Sequence, residues 1–431
     1  MNLSQNKGDL TISNSTRGPV IALVDWNEKG HHLTFFSLYC KALLELGCRV
    51  AALCRDPDEM RKYLEQNGVV VQDDQIRFAA LRFLNGPRFV RPRSLQTALR
   101  FRLIGRAFRR SLCEVSEAFQ APVDLCFFAC LYERDVQLVQ NMVAFCECLW
   151  SGLYLQANAF RSPGRLAPGV DPKYPFKSLL KHERLGALAV LDEGVVVAVE
   201  ELMGKQAVVF PEVTDEVITY THPLGQRLSR FAGSSKVVLL IGHLKPSKGV
   251  ITFLKAAANA GTKDLVFAFV GEVIWSEFTA AEKQFLERAM MELPNAFFHC
   301  MRVPDEAAYN AVINSCDVLF AAYHDFPHSS NSLTKGSLLK KPMIVTDGSL
   351  MAERVQRYRL GETVPQDDVR AIVEVIRKIT DDTSGWIEDK QPRWREYCEQ
   401  HSFAAMVKAF SELLEVCAIK TCNPGTMESG M

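Results

Sequence analysis

At 431 residues, 48% of them apolar, the chain exceeds one ordinary hydrophobic core and can fill two of about 200 residues each. Fifty Lys and Arg balance fifty Asp and Glu, so the basic excess of a nucleic-acid binder is missing and that partner class is not expected. Thirteen Cys, odd in number and without framework spacing, read as reduced, buried thiols rather than a disulfide scaffold. The opening residues MNLSQNKGDLTISNSTRG are polar, and no apolar run approaches the ~20 residues of a membrane span. A soluble, cytoplasmic protein is the expectation.

In chain order, the run VIALVD at 20–25 has the character of a strand buried on both sheet faces. After a polar loop, Leu33, Phe36, Cys40, Leu43 and Leu44 recur at helical spacing, and Gly47 is placed to end that helix. Further strands are read at 49–54, 123–130, 187–192 and 207–212. Cys146-x-Cys148 falls in an apolar run read as helical, where core packing is its expected role. SRFAGSSK at 229–236 has linker composition. The pattern then restarts with strands at 236–242, 265–271, 317–323 and 342–347, separated by helical segments. Such alternation predicts parallel sheets with crossover helices, an α/β chain of two Rossmann-like, doubly wound domains facing a cleft. The expected divisions are a flexible N-terminus (1–18), domains at 19–228 and 229–390, a helix crossing back to the first domain (391–420) and a flexible tail (421–431).

Open α/β sheets bind ligands beyond the carboxyl ends of their strands, so chemistry is sought in the loops after Asp25, Gly242, Gly271 and Tyr323. In IGHLKPSKG (241–249), Pro246 stiffens a turn and a helix follows Gly249, so backbone N–H groups beside Lys245 and Lys248 form an anion site. In YHDFPHSSNSLTKGSLLKKPMIVTD (323–347), Ser330 or Asn331 suits the cap of the next helix. Capping needs one such residue; Ser329, Ser330, Asn331 and Ser332 together predict a second site of the same kind. Glu272 is a candidate acceptor for ligand hydroxyls, and Asp325 and His324 are placed to border a ligand. Gly30 lets backbone approach a ligand, with His31 and His32 opening the helix behind it. Consecutive helical residues point about 100° apart, so the two His serve different roles. HxxxH is absent there, so a metal site is not expected. The run 88–110, from Arg88 to Arg110, holds eight Arg and no acid, with Leu95, Leu99, Leu103 and Phe108 among them. It suits an anionic membrane surface, an anionic acceptor or a protein partner.

These motifs, in this order, resemble the GT-B glycosyltransferases of the family 4 type. VVLLIGHLKPSKGVITFLKAA, SSNSLTKGSLLKKPMIVTDGS and ERVQRYRLGETV look like the donor domain, and GHHLTFFSLYCKALLELGCRV is similar to the loop and helix opening the acceptor domain. The resemblance spans about 20–415. It implies nucleotide-sugar binding, with Lys248 and His243 holding the donor diphosphate in place of the family's Lys and Arg. Gly30, Glu272, Ser329, Ser330, Asn331 and Lys335 then belong to the donor site, and His31, His32 and Asp325 to the catalytic side. The family's two Glu, eight positions apart, fall on Pro327 and Lys335. The motif is therefore degenerate, and Lys335 is expected to pair with donor phosphate or a neighbouring Asp. The implied reaction is retaining transfer from a UDP- or GDP-sugar to a glycan, lipid-linked or protein-linked hydroxyl, as in polysaccharide biosynthesis, without metal or cofactor. The alternative is a catalytically inactive binding or assembly subunit with the same fold. A nicotinamide dehydrogenase would want G-x-G-x-x-G after its first strand, and the chain has none.

Overall fold

The computed structural model describes residues 18–27, 31–82, 93–161, 176–214, 216, 221–261 and 264–421. Thirteen strands among these form two parallel sheets. The first sheet contains β1 (Val20–Val24), β2 (Arg49–Cys54), β3 (Ile76–Ala80), β4 (Leu125–Leu131), β5 (Leu149–Tyr154), β6 (Leu188–Val190) and β7 (Ala207–Val209), in the order β3-β2-β1-β4-β5-β6-β7. The second contains β8 (Lys236–Ile241), β9 (Leu265–Val270), β10 (Ala296–His299), β11 (Val318–Ala321), β12 (Met343–Thr346) and β13 (Gly361–Val364), in the order β10-β9-β8-β11-β12-β13. Each sheet thus starts at its centre, runs to one edge, then returns and runs to the other. The reversal points lie at β1/β4 and β8/β11, where a doubly wound sheet opens a crevice.

Both faces of each sheet are covered, which is why the central strands are continuous apolar runs. β1, β2 and β4 are buried at every position. On one face of the first sheet lies the helix Arg93–Phe119, inserting Ile104, Phe108, Leu112 and Val115. On the other lie the helices His31–Glu45 and Phe403–Val416. The C-terminal helix is fixed there by Phe410, with ring centroids 5.0 Å from Phe127 and 4.8 Å from Phe210. Each such pair adds about 0.5–1.5 kcal/mol beyond the area it buries. The helix Trp394–Gln400 just before it still belongs to the second sheet's core through Trp394 and Tyr397.

Four strands escape the run-based reading: β3, β5, β10 and β13. β5 (LWSGLY) and β13 (GETV) carry Ser, Gly, Glu or Thr, and β3 and β10 lie at sheet edges. The segment 229–236 is not a linker. The helix Pro223–Ala232 runs through it and packs Leu224 and Leu228 into the second core, so its small residues end a helix and enter β8. Nor are Cys146 and Cys148 helical: the helix Val136–Val143 has ended, and both lie in the link entering β5. In the Arg-rich run, the apolar face consists of Ile104 and Phe108, while Arg100, Arg102, Arg106, Arg109 and Arg110 are exposed. Residues 83–92 and the Leu95 side chain fall outside the described residues. No helix among the described residues is long and apolar enough to cross a membrane.

Candidate active site

Between the two sheets lies a cavity of about 510 Å³. The second domain contributes the loop after β8, with Gly242, His243, Lys245, Ser247 and Lys248. The first contributes Thr34, Phe35, Gln156 and Glu212. The β8 loop is fixed by its backbone. Pro246–Lys248 forms one tight turn, and Gly249 follows at φ 71°, where a Cβ would come within 2.5 Å of the Ala322 carbonyl oxygen. Only Gly meets both conditions. The helix Val250–Asn259 starts there, and Lys248 is left with its Nζ 3.6 Å from the centroid of the Tyr323 ring and 5.4 Å from that of Phe326. This aromatic seat holds the ammonium without spending its charge on a carboxylate. Burial alone would raise the Tyr323 phenol, but Lys248 and the Ser332 and Ser330 hydroxyls outweigh it and hold the phenol below its usual range.

The second loop faces the first. Ser330 caps the helix Asn331–Leu338, accepting from the Ser332 N–H at 3.4 Å. Asn331 Oδ1 is buried with no hydrogen-bond partner among the described residues, although it lines the cavity. A buried acceptor costs about 1–3 kcal/mol unless something donates to it, so its neighbourhood suits a ligand donor. Ser329 is committed to the protein: its hydroxyl donates to Glu212 and accepts from Arg354 Nη1 at 3.0 Å. Lys335, buried one turn on, pairs with Glu306 and donates to Asn310 Oδ1 at 3.0 Å. Glu306 lines the cavity and is partly exposed, so Lys335 positions a carboxylate at the cavity wall.

Beneath this wall a polar network joins the domains. Arg354, with 1% of its side chain exposed, reaches from the helix Leu350–Tyr358 to Glu193 Oε2 (2.8 Å), Glu212 Oε2 (3.2 Å) and the Leu191 carbonyl (2.8 Å). Burial pushes the Glu212 carboxyl up, and Arg354 and Ser329 oppose it. His401 Nδ1 accepts from the Glu212 N–H at 3.0 Å, and His328 Nε2 bonds Asn158 Oδ1 at 2.7 Å. Burial lowers these imidazoles to about 3 and about 4.

A second cavity, of about 490 Å³, opens at the β1/β4 reversal of the first sheet. Here His32, 4% exposed, bonds Asp25 Oδ2 through Nδ1 at 2.8 Å. Its Nε2 lies 3.0 Å from Asn27 Nδ2 and 3.3 Å from the Tyr132 hydroxyl. An amide nitrogen only donates, so Nε2 accepts and the ring proton sits on Nδ1, directed at Asp25. Arg55, Glu59, Arg134 and Asp135 complete the polar wall.

Of the residues singled out from sequence, His243, Lys248, Glu272, Ser329, Ser330, Asn331 and Lys335 converge on the interdomain cavity, and His32 faces the other. Gly30 and the His31 side chain lie outside the described residues. Asp325 does not join them. Its backbone turns left-handed at φ 48°, its N–H donates to Gln366 at 2.8 Å, and its side chain is exposed away from the cavity. His324 is likewise occupied, 3.2 Å from both Thr252 and Asp367. Lys335 pairs not with an Asp but with Glu306. Sequence reasoning missed Glu212, Arg302, Glu306, Arg354 and the wall of Asn27, Arg55 and Tyr132. For Glu212, Arg55 and Tyr132 there was a signal, since Glu212 ends a predicted strand and the other two come just after one. For Glu306 and Arg354, on helices, there was none.

Residues 227–401 match the family Glycosyl transferases group 1. No curated protein matches the chain. The fold is similar to that of HepE from Anabaena solved with UDP and glucose, at TM-score 0.65 and 13% identity, covering 92% of this chain and 99% of that one. It is similar to sucrose-phosphate synthase from Thermosynechococcus elongatus, at 0.66 and 16%, covering 93% and 98%. A third likeness is to a trehalose-6-phosphate protein from E. coli bound with UDP-2-fluoro glucose, at 0.63 and 9%, covering 94% and 100%.

Proposed function

We propose that the chain is a glycosyltransferase whose cleft takes a nucleoside-diphosphate sugar, a reading supported by the match of residues 227–401 to Glycosyl transferases group 1 and by the GT-B-like frame. The observation that carries this reading is the convergence of Lys248, the capped helix start at Ser330 and the unpartnered Asn331 Oδ1 on one interdomain cavity. Diphosphate oxygens would meet Lys248, with Arg302 and His243 also on the cavity wall. Glu306 offers acceptor oxygens for sugar or ribose hydroxyls, a role the resemblance gives to a Glu at the position Lys335 holds. UDP is the first nucleotide to try, because HepE and the E. coli protein were solved with UDP or its sugar derivatives.

The reaction we propose is retaining and independent of metal and cofactor. The bond from the anomeric carbon to the diphosphate oxygen breaks, and the acceptor oxygen bonds to that carbon on the same face. The acceptor proton passes to the leaving diphosphate, and the bond electrons stay on its oxygen. Lys248 stabilises the charge that develops there, a preorganised contribution made before the reaction begins. Two domains meeting over the cleft exclude water and so suppress hydrolysis. The acceptor hydroxyl enters from the first-domain cavity, where Asp25 orients His32. The exposed Arg face of the helix Arg93–Phe119 suits an acceptor carried at an anionic surface.

The test is turnover of UDP-, GDP- and ADP-sugars, followed by nucleoside-diphosphate release and by NMR of the anomeric proton of the transferred sugar. The account expects release with one nucleotide class and product with the donor's anomeric configuration. An inverted product would refute retention, and no release from any donor with a range of hydroxyl acceptors would refute the reaction.

A further inference from the structure

Cys126 Sγ, on β4, lies 3.5 Å from Cys146 Sγ and 3.5 Å from Cys148 Sγ, and the latter two are 3.2 Å apart. Cys126 and Cys146 are fully buried, whereas Cys148 is partly buried. The cluster lies away from both cavities and takes no part in the proposed transfer. The three sulfurs are in mutual contact, and all three distances are nearly equal. A disulfide would account for one short distance and leave the third sulfur crowded. It would also need a 2.05 Å bond and an oxidant. A triangle of three sulfurs, each within reach of a common centre, instead has the form of a shared ligand set for one ion.

The geometry points to a three-thiolate site for a soft cation, Zn²⁺ or Cu⁺, at Cys126, Cys146 and Cys148. Zn–S bonds of 2.3 Å put ligand sulfurs about 3.8 Å apart along a tetrahedral edge, so each pair has to open by only about 0.3–0.6 Å. Thiolates select soft ions over Mg²⁺ or Ca²⁺. Three thiolates and a divalent ion leave one negative charge, and the Arg184 guanidinium, which donates to the Cys146 carbonyl, is adjacent to offset it. Cys148, the least buried of the three, lies on the side from which an ion enters, and the fourth position is left to water. The ion would tie the link Ala144–Cys148 to β4 in the middle of the first sheet.

The test is metal analysis of the reduced, full-length protein after supply of Zn²⁺, with parallel Co²⁺ substitution to read sulfur-to-cobalt charge transfer. The account expects one ion per chain in the wild type, a charge-transfer band, and a Tm that falls on chelation. In Cys148→Ser, at the least buried position, and in Cys126→Ser, the ion and the band are lost. Chelation then leaves Tm unchanged, while the circular dichroism of Cys148→Ser remains that of the wild type. The proposal is overturned if the folded, reduced protein takes up well under one ion, or if either variant keeps the band. It is equally overturned if mass analysis of the protein as isolated shows two of these cysteines joined as a disulfide.

Discussion

Two side chains carry predictions at the residue scale. His32 receives its tautomer from Asp25 and Asn27 and faces the first-domain cavity, so the proposed transfer assigns it acceptor positioning rather than donor binding. His32→Ala is expected to lower turnover with acceptor about 10²-fold, in the range of a lost proton-handling or orienting group, while leaving UDP affinity within about twofold. Equal losses in both, measured by steady-state kinetics and calorimetry, would remove it from that role. At Lys335 the pairing with Glu306 predicts a charge dependence that a lone lysine would not show. Lys335→Glu sets two carboxylates together and should weaken nucleotide binding and lower Tm by several degrees, since a buried pair broken on one side costs about 3–5 kcal/mol at most. Adding Glu306→Lys should recover part of both, and a double variant no better than the single would separate Glu306 from the site. This pairing was not legible in the sequence. The two residues lie 29 positions apart on different helices, and only their convergence beside Asn310 makes a pair of them.

At the scale of elements, legibility followed burial. β1, β2, β4, β8 and β9 are enclosed by helices on both faces and read as unbroken apolar runs. β13, with half-buried Glu362 and Thr363, has no such pattern; it is a strand because β12 pairs with it residue by residue from Met343–Gly361 to Thr346–Val364. The SRFAGSSK segment misled because small polar residues serve a helix end as well as a linker. For the helix Arg93–Phe119 the amphipathic reading yields a measurable consequence. Its exposed Arg106 and Arg110, with Arg109 partly engaged by Glu147, should bind vesicles rich in anionic lipid. Replacing all three with Gln should abolish that binding, and 0.5 M salt should reduce it by screening, with a Debye length near 4 Å. Sedimentation that ignores lipid charge would leave the face as plain solvated surface.

For the whole molecule, buried polar contacts among the described residues join the two domains, and they predict a pH dependence for that union. His328 and His401 stand on second-domain and C-terminal segments, and each bonds a first-domain group while neutral. Their folded pKa values, about 4 and about 3, lie below the unfolded value near 6.5. Their contribution is therefore fully present above about pH 6.5 and is lost as pH falls toward the folded values, because the unfolded chain takes up protons that the folded one does not. Each histidine contributes at most about 1.4 kcal/mol per pH unit across that window. Denaturation followed from pH 7 to pH 5 should show falling stability, with a shallower slope in His401→Gln; an identical slope in that variant would exclude the histidine.

The central claim is that the cleft seats a nucleoside diphosphate on Lys248, and calorimetric titration of UDP and UDP-glucose into the full chain tests it most directly. One binding site is predicted, weakened tenfold or more in Lys248→Ala, in keeping with about 1.5–3 kcal/mol for a charge-assisted contact, with the variant's Tm close to the wild type's. Binding of equal strength in Lys248→Ala, or no binding of any UDP-, GDP- or ADP-sugar by the folded protein, would contradict it.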